Sequence, residues 1–476
     1  MAHDLDPKDW DAFARDAHAA LDSMIEHLRH VRERPAWQEP TEEARARFHT
    51  PMPRKGKPLQ HALDDFERYI RPYSTGNVHP LFLGWVHGAG TPVGMVAEML
   101  AAGLNANCGG RDHIAIEVER QITRWMCEAI GFPQNATGLF LTGSSIANFV
   151  AVLIARTKKL GQGSRHAGLC VQGERLIAYA SREAHQCIPR ALDMTGLGSD
   201  NLRLIDVDEN RAMNVDALRL AIRKDRAAGN EPFMIVGSAG TVNTGAVDPL
   251  DALADVAQEE NIWFHVDGAI GAVATLSSEL KPKFKGMERA DTIALDFHKW
   301  LNAPYDAGFI LARDPASHVA AFAREADYLV RAERGLAAGG VWPNDLGPDL
   351  SRGFRALKVW MQFETCGADA MGAMMADRCV IARYLADRLE ATGKFALKAP
   401  VSLNIVCFGV KDDVEGKISG PLVEALHLSG LAVPSLTRFD GVPSIRAAVV
   451  NHRATRADMD RFVEIMLEWL DKVTAH

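Results

Sequence analysis

The sequence has no run of roughly eighteen uncharged apolar residues, so no bilayer-crossing helix is expected. It has no excess of basic charge. Against 61 Asp and Glu there are 53 Lys and Arg, a net charge of −8, which offers no positive field to hold nucleic acid or an anionic membrane. The seven cysteines (Cys108, Cys127, Cys170, Cys187, Cys366, Cys379 and Cys407) are odd in number and include no Cys-x-x-Cys pair. That scatter argues against a disulfide framework or a zinc site. Each is better read as a small buried hydrophobe in a reducing cytoplasm. Met1-Ala-His-Asp-Leu-Asp is acidic where a secretory leader would be basic and then apolar. There is no Gly-Lys-Thr/Ser phosphate loop and no Gly-x-Gly-x-x-Gly after the first strand, which argues against P-loop and nicotinamide enzymes. Repeats and low-complexity tracts are absent too. What remains is ordinary globular composition, 47% apolar and 24% charged, and 476 residues suggest about three domain-sized units.

Hydrophobic periodicity sets the organisation. Trp10, Phe13, Ala17, Leu21, Met24, Ile25 and Leu28 recur at helical spacing. This apolar stripe lies far from the main body and needs a partner; a second subunit is the expected one. A proline-rich stretch from Pro35 to Pro58 should run extended over the surface. Short β-rich runs then alternate with helical patterns: Gly138–Leu141, Leu176–Tyr179, Leu202–Ile205, Phe233–Gly237, Ile262–Val266, Thr292–Leu295 and Gly308–Ala312. Such alternation predicts an α/β unit with a mainly parallel sheet and helices on both faces. Two helical runs after Arg352, followed by strand and helix patterns, predict a smaller α+β unit. The expected division is an N-terminal arm (1–75), a large α/β domain (76–350) and a small C-terminal domain (351–476).

In sheets of this kind ligands bind beyond the carboxyl ends of the strands, so the polar residues there carry the chemical argument. Lys299, in Asp296-Phe-His298-Lys299-Trp300, follows a strand, where desolvation can lower its pKa and expose a neutral amine for Schiff-base chemistry. An isolated lysine there would be a surface residue. Asp267 ends the apolar run Ile262-Trp-Phe-His-Val and needs a cation or donors if buried; a helix cap would also satisfy it. Thr142-Gly143-Ser144-Ser145 leads from a strand into a helix, whose N-terminus suits a phosphate or serves as an ordinary cap. His185 follows another strand, where its ring could lie over a flat ligand or be structural. Thr241 follows a fourth, where its hydroxyl could bond a ligand or turn the chain. Phosphate binder, imidazole, hydroxyl, carboxylate and lysine at successive strand ends together suit pyridoxal 5′-phosphate. No metal site is expected.

These motifs, with His79-Pro-Leu-Phe and Arg352-Gly-Phe-Arg-Ala-Leu-Lys, resemble the group II pyridoxal-phosphate-dependent decarboxylases that act on aromatic amino acids, histidine and glutamate. The resemblance runs from about Ala62 to the C-terminus. It implies a fold-type I, aspartate aminotransferase-like architecture and a homodimer with exchanged N-terminal arms. It further implies that Lys299 carries the cofactor as a Schiff base, that Asp267 pairs with the ring nitrogen and that His185 stacks on the ring. Gly143, Ser144, Ser145 and His298 would hold the phosphate, and Thr241 and Ala269 would complete the cofactor site. Tyr328, 29 residues beyond Lys299, matches the tyrosine that relatives use to return a proton after carbon dioxide leaves. Relatives with phenylalanine there are aldehyde synthases, so tyrosine implies decarboxylation to the amine.

For the substrate side chain the resemblance points to Trp85, His87 and Ser351, which favour an aromatic L-amino acid. Arg111 or His87 could instead bind an acidic side chain, giving a glutamate or aspartate decarboxylase, and a diaminobutyrate substrate is a further alternative. Arg111 could equally be neutralised by Asp112 or Glu117. Another carbon–carbon lyase or an aminotransferase on the same fold remains open.

Overall fold

A computed structural model describes residues 5–169, 175–324 and 331–475. Seven strands form the larger sheet: β1 (Thr137–Leu141), β2 (Leu176–Ser181), β3 (Leu202–Ile205), β4 (Glu231–Ser238), β5 (Trp263–Asp267), β6 (Thr292–Asp296) and β7 (Gly308–Ala312). Their spatial order is β1-β7-β6-β5-β4-β2-β3. Only β7 is antiparallel to its neighbours. All seven expected strands are present, each within two residues of its expected ends. They read clearly because parallel strands covered on both faces are near-continuous apolar runs; β2, β6 and β7 are buried throughout.

Since β1 and β6 both oppose β7, the carboxyl ends of the other six strands lie on one rim. The helix Ser144–Leu160 leaves β1 at that rim and packs over β6, β7, β5 and β4. Its start passes so close to β7 that a Cβ on Gly308 would stand 2.2 Å from Gly143 Cα. Only glycine allows this approach.

The smaller sheet is antiparallel, ordered β10-β11-β9-β8. It comprises β8 (Phe395–Leu397), β9 (Ile405–Val410), β10 (Ser435–Phe439) and β11 (Val442–Ala448). Of these, β8 and β10 were not expected from sequence. The helices Ala368–Ala391, Ser419–Ser429 and Arg456–Thr474 cover the sheet. Leu81, Phe82 and Leu83 join this unit's core, Leu83 N donating to Val433 O and Val433 N to Leu81 O.

The first helix, Trp10–Arg29, buries none of its residues, and Trp10 is 61% exposed. The proline-rich stretch is not wholly extended. Thr41 caps a short helix, Glu42–Arg47, by accepting from Ala44 N. Among the described residues no helix is long and apolar enough to cross a membrane.

Candidate active site

Strand alternation puts His265 and Asp267 on one face of β5, and Thr292, Ala294 and Asp296 on the matching face of β6. The register sets His265 beside Thr292 and Asp267 beside Ala294. Helix spacing supplies the lid, because Ser144 and Asn148 share one side of the Ser144–Leu160 helix. Ser144 N and Oγ each donate to Asp296 at 2.7 Å, on Oδ1 and Oδ2 respectively. One turn on, Asn148 Oδ1 lies 2.6 Å from His265 Nε2, while His265 Nδ1 faces Thr292 Oγ1 at 2.9 Å. Asn148 Nδ2 also reaches Cys187 Sγ at 3.2 Å, and that thiol lies 3.8 Å from Asp267 Oδ2. A buried polar chain therefore backs Asp267 from behind.

At the rim these elements form a cleft lined by Ser144, His185, Ser238, Gly240, Thr241, Val242, Asp267, Ala269, Ile270 and Lys299. It gathers six of the residues singled out in the sequence. Asp267 is 7% exposed; Ala269 N donates to its Oδ1 at 3.2 Å, and among the described residues it makes no ion pair. Thr241 Oγ1 lies 2.9 Å from Thr244 Oγ1. His185 Nδ1 accepts from Cys187 N at 3.2 Å, which fixes the ring's edge. Burial pushes the His185 imidazolium below its usual pKa, against the pull of Asp267, so the ring is neutral near pH 7. His298 borders the cleft: its Nδ1 accepts from Ala307 N at 3.0 Å, and burial lowers its pKa too. Gly143 lies against it, since a Cβ there would sit 3.6 Å from His298 Cε1.

The expectation for Lys299 needs correction. Burial alone would lower its pKa, but Asp296 Oδ2 lies 2.8 Å from Nζ and Asp267 adds its charge beyond, so the net direction is upward. Nζ also lies 3.5 Å from Ser144 Oγ. The sequence reading passed over Asp296, although a carboxylate ending an apolar strand three residues before the lysine was a visible signal. It likewise passed over Ser238, Gly240, Val242, Ile270, Tyr305 and Arg446.

The remaining residues lie elsewhere. Ser145 is exposed on the first helical turn. Trp85, His87 and Phe82 form a stack, with ring centres 5.7–6.0 Å apart. His87 meets Tyr305, whose ring lies 4.4 Å from that of His298. The aromatic wall therefore reaches the cofactor end of the cleft. Ser351 is exposed and is not among the lining residues. Arg111 pairs with neither Asp112 nor Glu117; its guanidinium lies over Trp342 at 4.7 Å. Tyr328 falls outside the described residues. No group of His, Cys, Asp or Glu among the described residues could hold a metal ion.

The donor set fits pyridoxal phosphate. A lysine can bond the aldehyde, a buried carboxylate without a cation can take a pyridinium N–H, and hydroxyl and amide donors at a helix start can take a phosphate.

Comparison with known proteins agrees. Residues 40–411 match the family described as pyridoxal-dependent decarboxylase conserved domain. An aromatic-L-amino-acid decarboxylase of Bacillus atrophaeus is 32% identical, the match covering 94% of this chain and 93% of that protein. A phenylacetaldehyde synthase of Arabidopsis thaliana is 28% identical over 82% of each chain. The crystal structure of Oryza sativa TDC with PLP and tryptamine superposes with a TM-score of 0.90, at 22% identity, over 98% of this chain and 99% of that one. That likeness fixes the fold. By its sequence match and the chemistry of its cleft, the chain belongs to the pyridoxal-dependent decarboxylase family and is a pyridoxal-phosphate-dependent amino-acid carboxy-lyase.

Proposed function

We propose that the enzyme decarboxylates an aromatic L-amino acid to its amine, with Lys299 as the lysine that tethers the cofactor. The convergence of Ser144, His185, Thr241, Asp267, Ala269 and Lys299 on one cleft carries this reading. Bound there, the cofactor supplies an electron-withdrawing ring that stabilises the charge left on Cα as carbon dioxide departs. Asp267 would hold a proton at the ring nitrogen, and the Ala269 N–H fixes the carboxylate that would do so. His185, neutral, would stack on the ring without adding charge. Ser144 and His298 would orient the phosphate, with Gly143 and Ser145 at the same helix start, and Thr241 would lie against the ring oxygen or the phosphate. Tyr328 returns a proton to Cα. The aromatic wall of Trp85, His87 and Tyr305 supports a flat side chain, as does the Bacillus relative, named for aromatic L-amino acids. Ser351 is kept as a substrate contact on the resemblance alone.

A second reading rests on Arg446. Its side chain donates to Asn243 O at 3.1 Å, Ser435 Oγ at 3.1 Å and Trp85 O at 3.3 Å, with no carboxylate in ion-pair range among the described residues. Burial pushes it down to about 10. A buried cation beside Trp85 held only by neutral acceptors favours an acidic side chain. One panel separates the readings: the twenty amino acids plus dihydroxyphenylalanine, scored for carbon dioxide and amine. Turnover confined to glutamate or aspartate would overturn the aromatic reading.

The exposed Trp10, Phe13 and Ile25 of the Trp10–Arg29 helix support a homodimer in which the arm packs on a second copy. Light scattering that finds a monomer at micromolar concentration would contradict it. The division at 75/76 and 350/351 rests on the sequence pattern: each sheet has its own core, but that of the large sheet takes in Val359, Phe363 and Met375, and that of the small sheet takes in Ala36 and Leu81–Leu83. Six described cysteines without a disulfide support a reducing, cytoplasmic setting.

A further inference from the structure

Asp296 stands behind Ser144 and Lys299 of the cleft and has no role so far. It is 1% exposed, more deeply buried than Asp267. Its Oδ1 takes Ser144 N at 2.7 Å, and its Oδ2 takes Ser144 Oγ at 2.7 Å and Lys299 Nζ at 2.8 Å. The helix start assigned above to the cofactor phosphate already faces a carboxylate. Two anions on one pair of donors cannot both stay fully ionised, because each raises the pKa of the other. Lys299, for its part, must give up a proton before Nζ can react, and Asp296 Oδ2 is the carboxylate oxygen in contact with it.

Resting on the reading that Ser144 holds the phosphate, we propose that Asp296 takes the proton from Lys299 Nζ as the cofactor loads and then meets the phosphate as a neutral carboxyl donor. The N–H bond at Nζ breaks, its electron pair stays on nitrogen, and an O–H bond forms at Oδ2. A carboxyl donating to phosphate replaces repulsion with a charge-assisted hydrogen bond. Loading the phosphate form then exchanges no proton with solvent, whereas loading a ligand without phosphate releases the lysine's proton, so the advantage of the phosphate form shrinks as pH rises.

The groups facing Asp296 leave this dependence to Asp296 itself. On its own segment, Lys299 is the partner, and His298 is held neutral by burial. Beyond β2, His185 is likewise neutral, and burial keeps the Cys187 thiol protonated. In the loop before β7, burial raises the Tyr305 phenol. Asp267 lies across Lys299 and is common to every comparison below.

The test compares pyridoxal 5′-phosphate with pyridoxal on the full-length protein stripped of cofactor, from about pH 7 to 9, above the second phosphate ionisation near 6. Both ligands react with the same lysine, so the ratio of their dissociation constants isolates the phosphate. In the wild type the advantage of the phosphate form should shrink by about tenfold per pH unit, and in Asp296→Asn it should stay flat. Ratios that move in parallel in the two proteins overturn the proposal. Ser144→Ala tests the underlying reading separately: if it leaves the ratio unchanged at every pH, Ser144 does not hold the phosphate. If Asp296→Asn fails to fold, difference infrared spectroscopy of the wild type decides. A new carboxylic-acid carbonyl band on loading with pyridoxal 5′-phosphate supports the proposal, and its absence overturns it.

Discussion

Replacing Asp267 by asparagine changes one buried charge and almost no volume. The carboxylate is 7% exposed, takes the Ala269 amide at 3.2 Å and faces the Cys187 thiol at 3.8 Å. An amide oxygen can still accept from Ala269, so the local fold should persist. What is lost is the charge that holds a proton on the ring nitrogen. A charge-assisted hydrogen bond contributes about 1.5–3 kcal/mol against about 1 for a neutral one, so cofactor affinity should fall by roughly 2- to 30-fold. The effect on kcat should be larger, about 100- to 1,000-fold, because charge stabilisation acts where charge develops in the transition state. Cofactor binding is followed by fluorescence quenching, and kcat by carbon dioxide release at saturating cofactor. A variant that keeps kcat within about twofold of the wild type at saturation would refute the role given to Asp267.

Arg352 is buried and donates to Glu119 Oε1 at 2.6 Å, Cys108 O at 2.8 Å and Phe140 O at 2.7 Å, tying β1 to the Ile114–Ile130 helix. Arg352→Ala should cost about 3–5 kcal/mol by stranding Glu119, and an Arg352→Met/Glu119→Leu double variant should regain much of that in urea melts. Burial pushes the His265 and His452 imidazoles down to about 3 and His318 to about 4, so these rings stay neutral in the fold while the unfolded chain protonates near 6.5. Their contribution to stability is therefore complete above about pH 6.5 and lost as pH falls towards 4. Asp248, pushed up to about 6 by burial, acts in the opposite direction but is one group against three. A Tm that stays level from pH 7.5 to about 5 would contradict this balance. Tyr328→Phe should divert product from amine to aldehyde with oxygen consumption; an unchanged amine yield would remove Tyr328 as proton donor.

The large sheet was legible because each strand is an apolar run closed by a polar residue, and its function was legible because those closing residues carry the chemistry. Asp267, Lys299, Thr241 and His185 needed only a sheet of one hand and one rim to meet. The small sheet was less legible. β8 has three residues, and β10 alternates buried Ser435 and Phe439 with exposed Leu436 and Arg438, which breaks any hydrophobic run. Partnerships across long sequence separations were hidden altogether. Asp296 meets Ser144 from 152 residues away, and Arg446 meets Trp85 from 361. The rise in the Lys299 pKa comes instead from Asp296, only three residues before it, so burial alone pointed the wrong way.

The account depends most directly on a bond at Lys299. Borohydride reduction of the cofactor-loaded enzyme, followed by digestion and mass spectrometry, should leave a phosphopyridoxyl group on the peptide carrying Lys299 and on no other lysine. An unmodified Lys299, with the label elsewhere or absent, would contradict it.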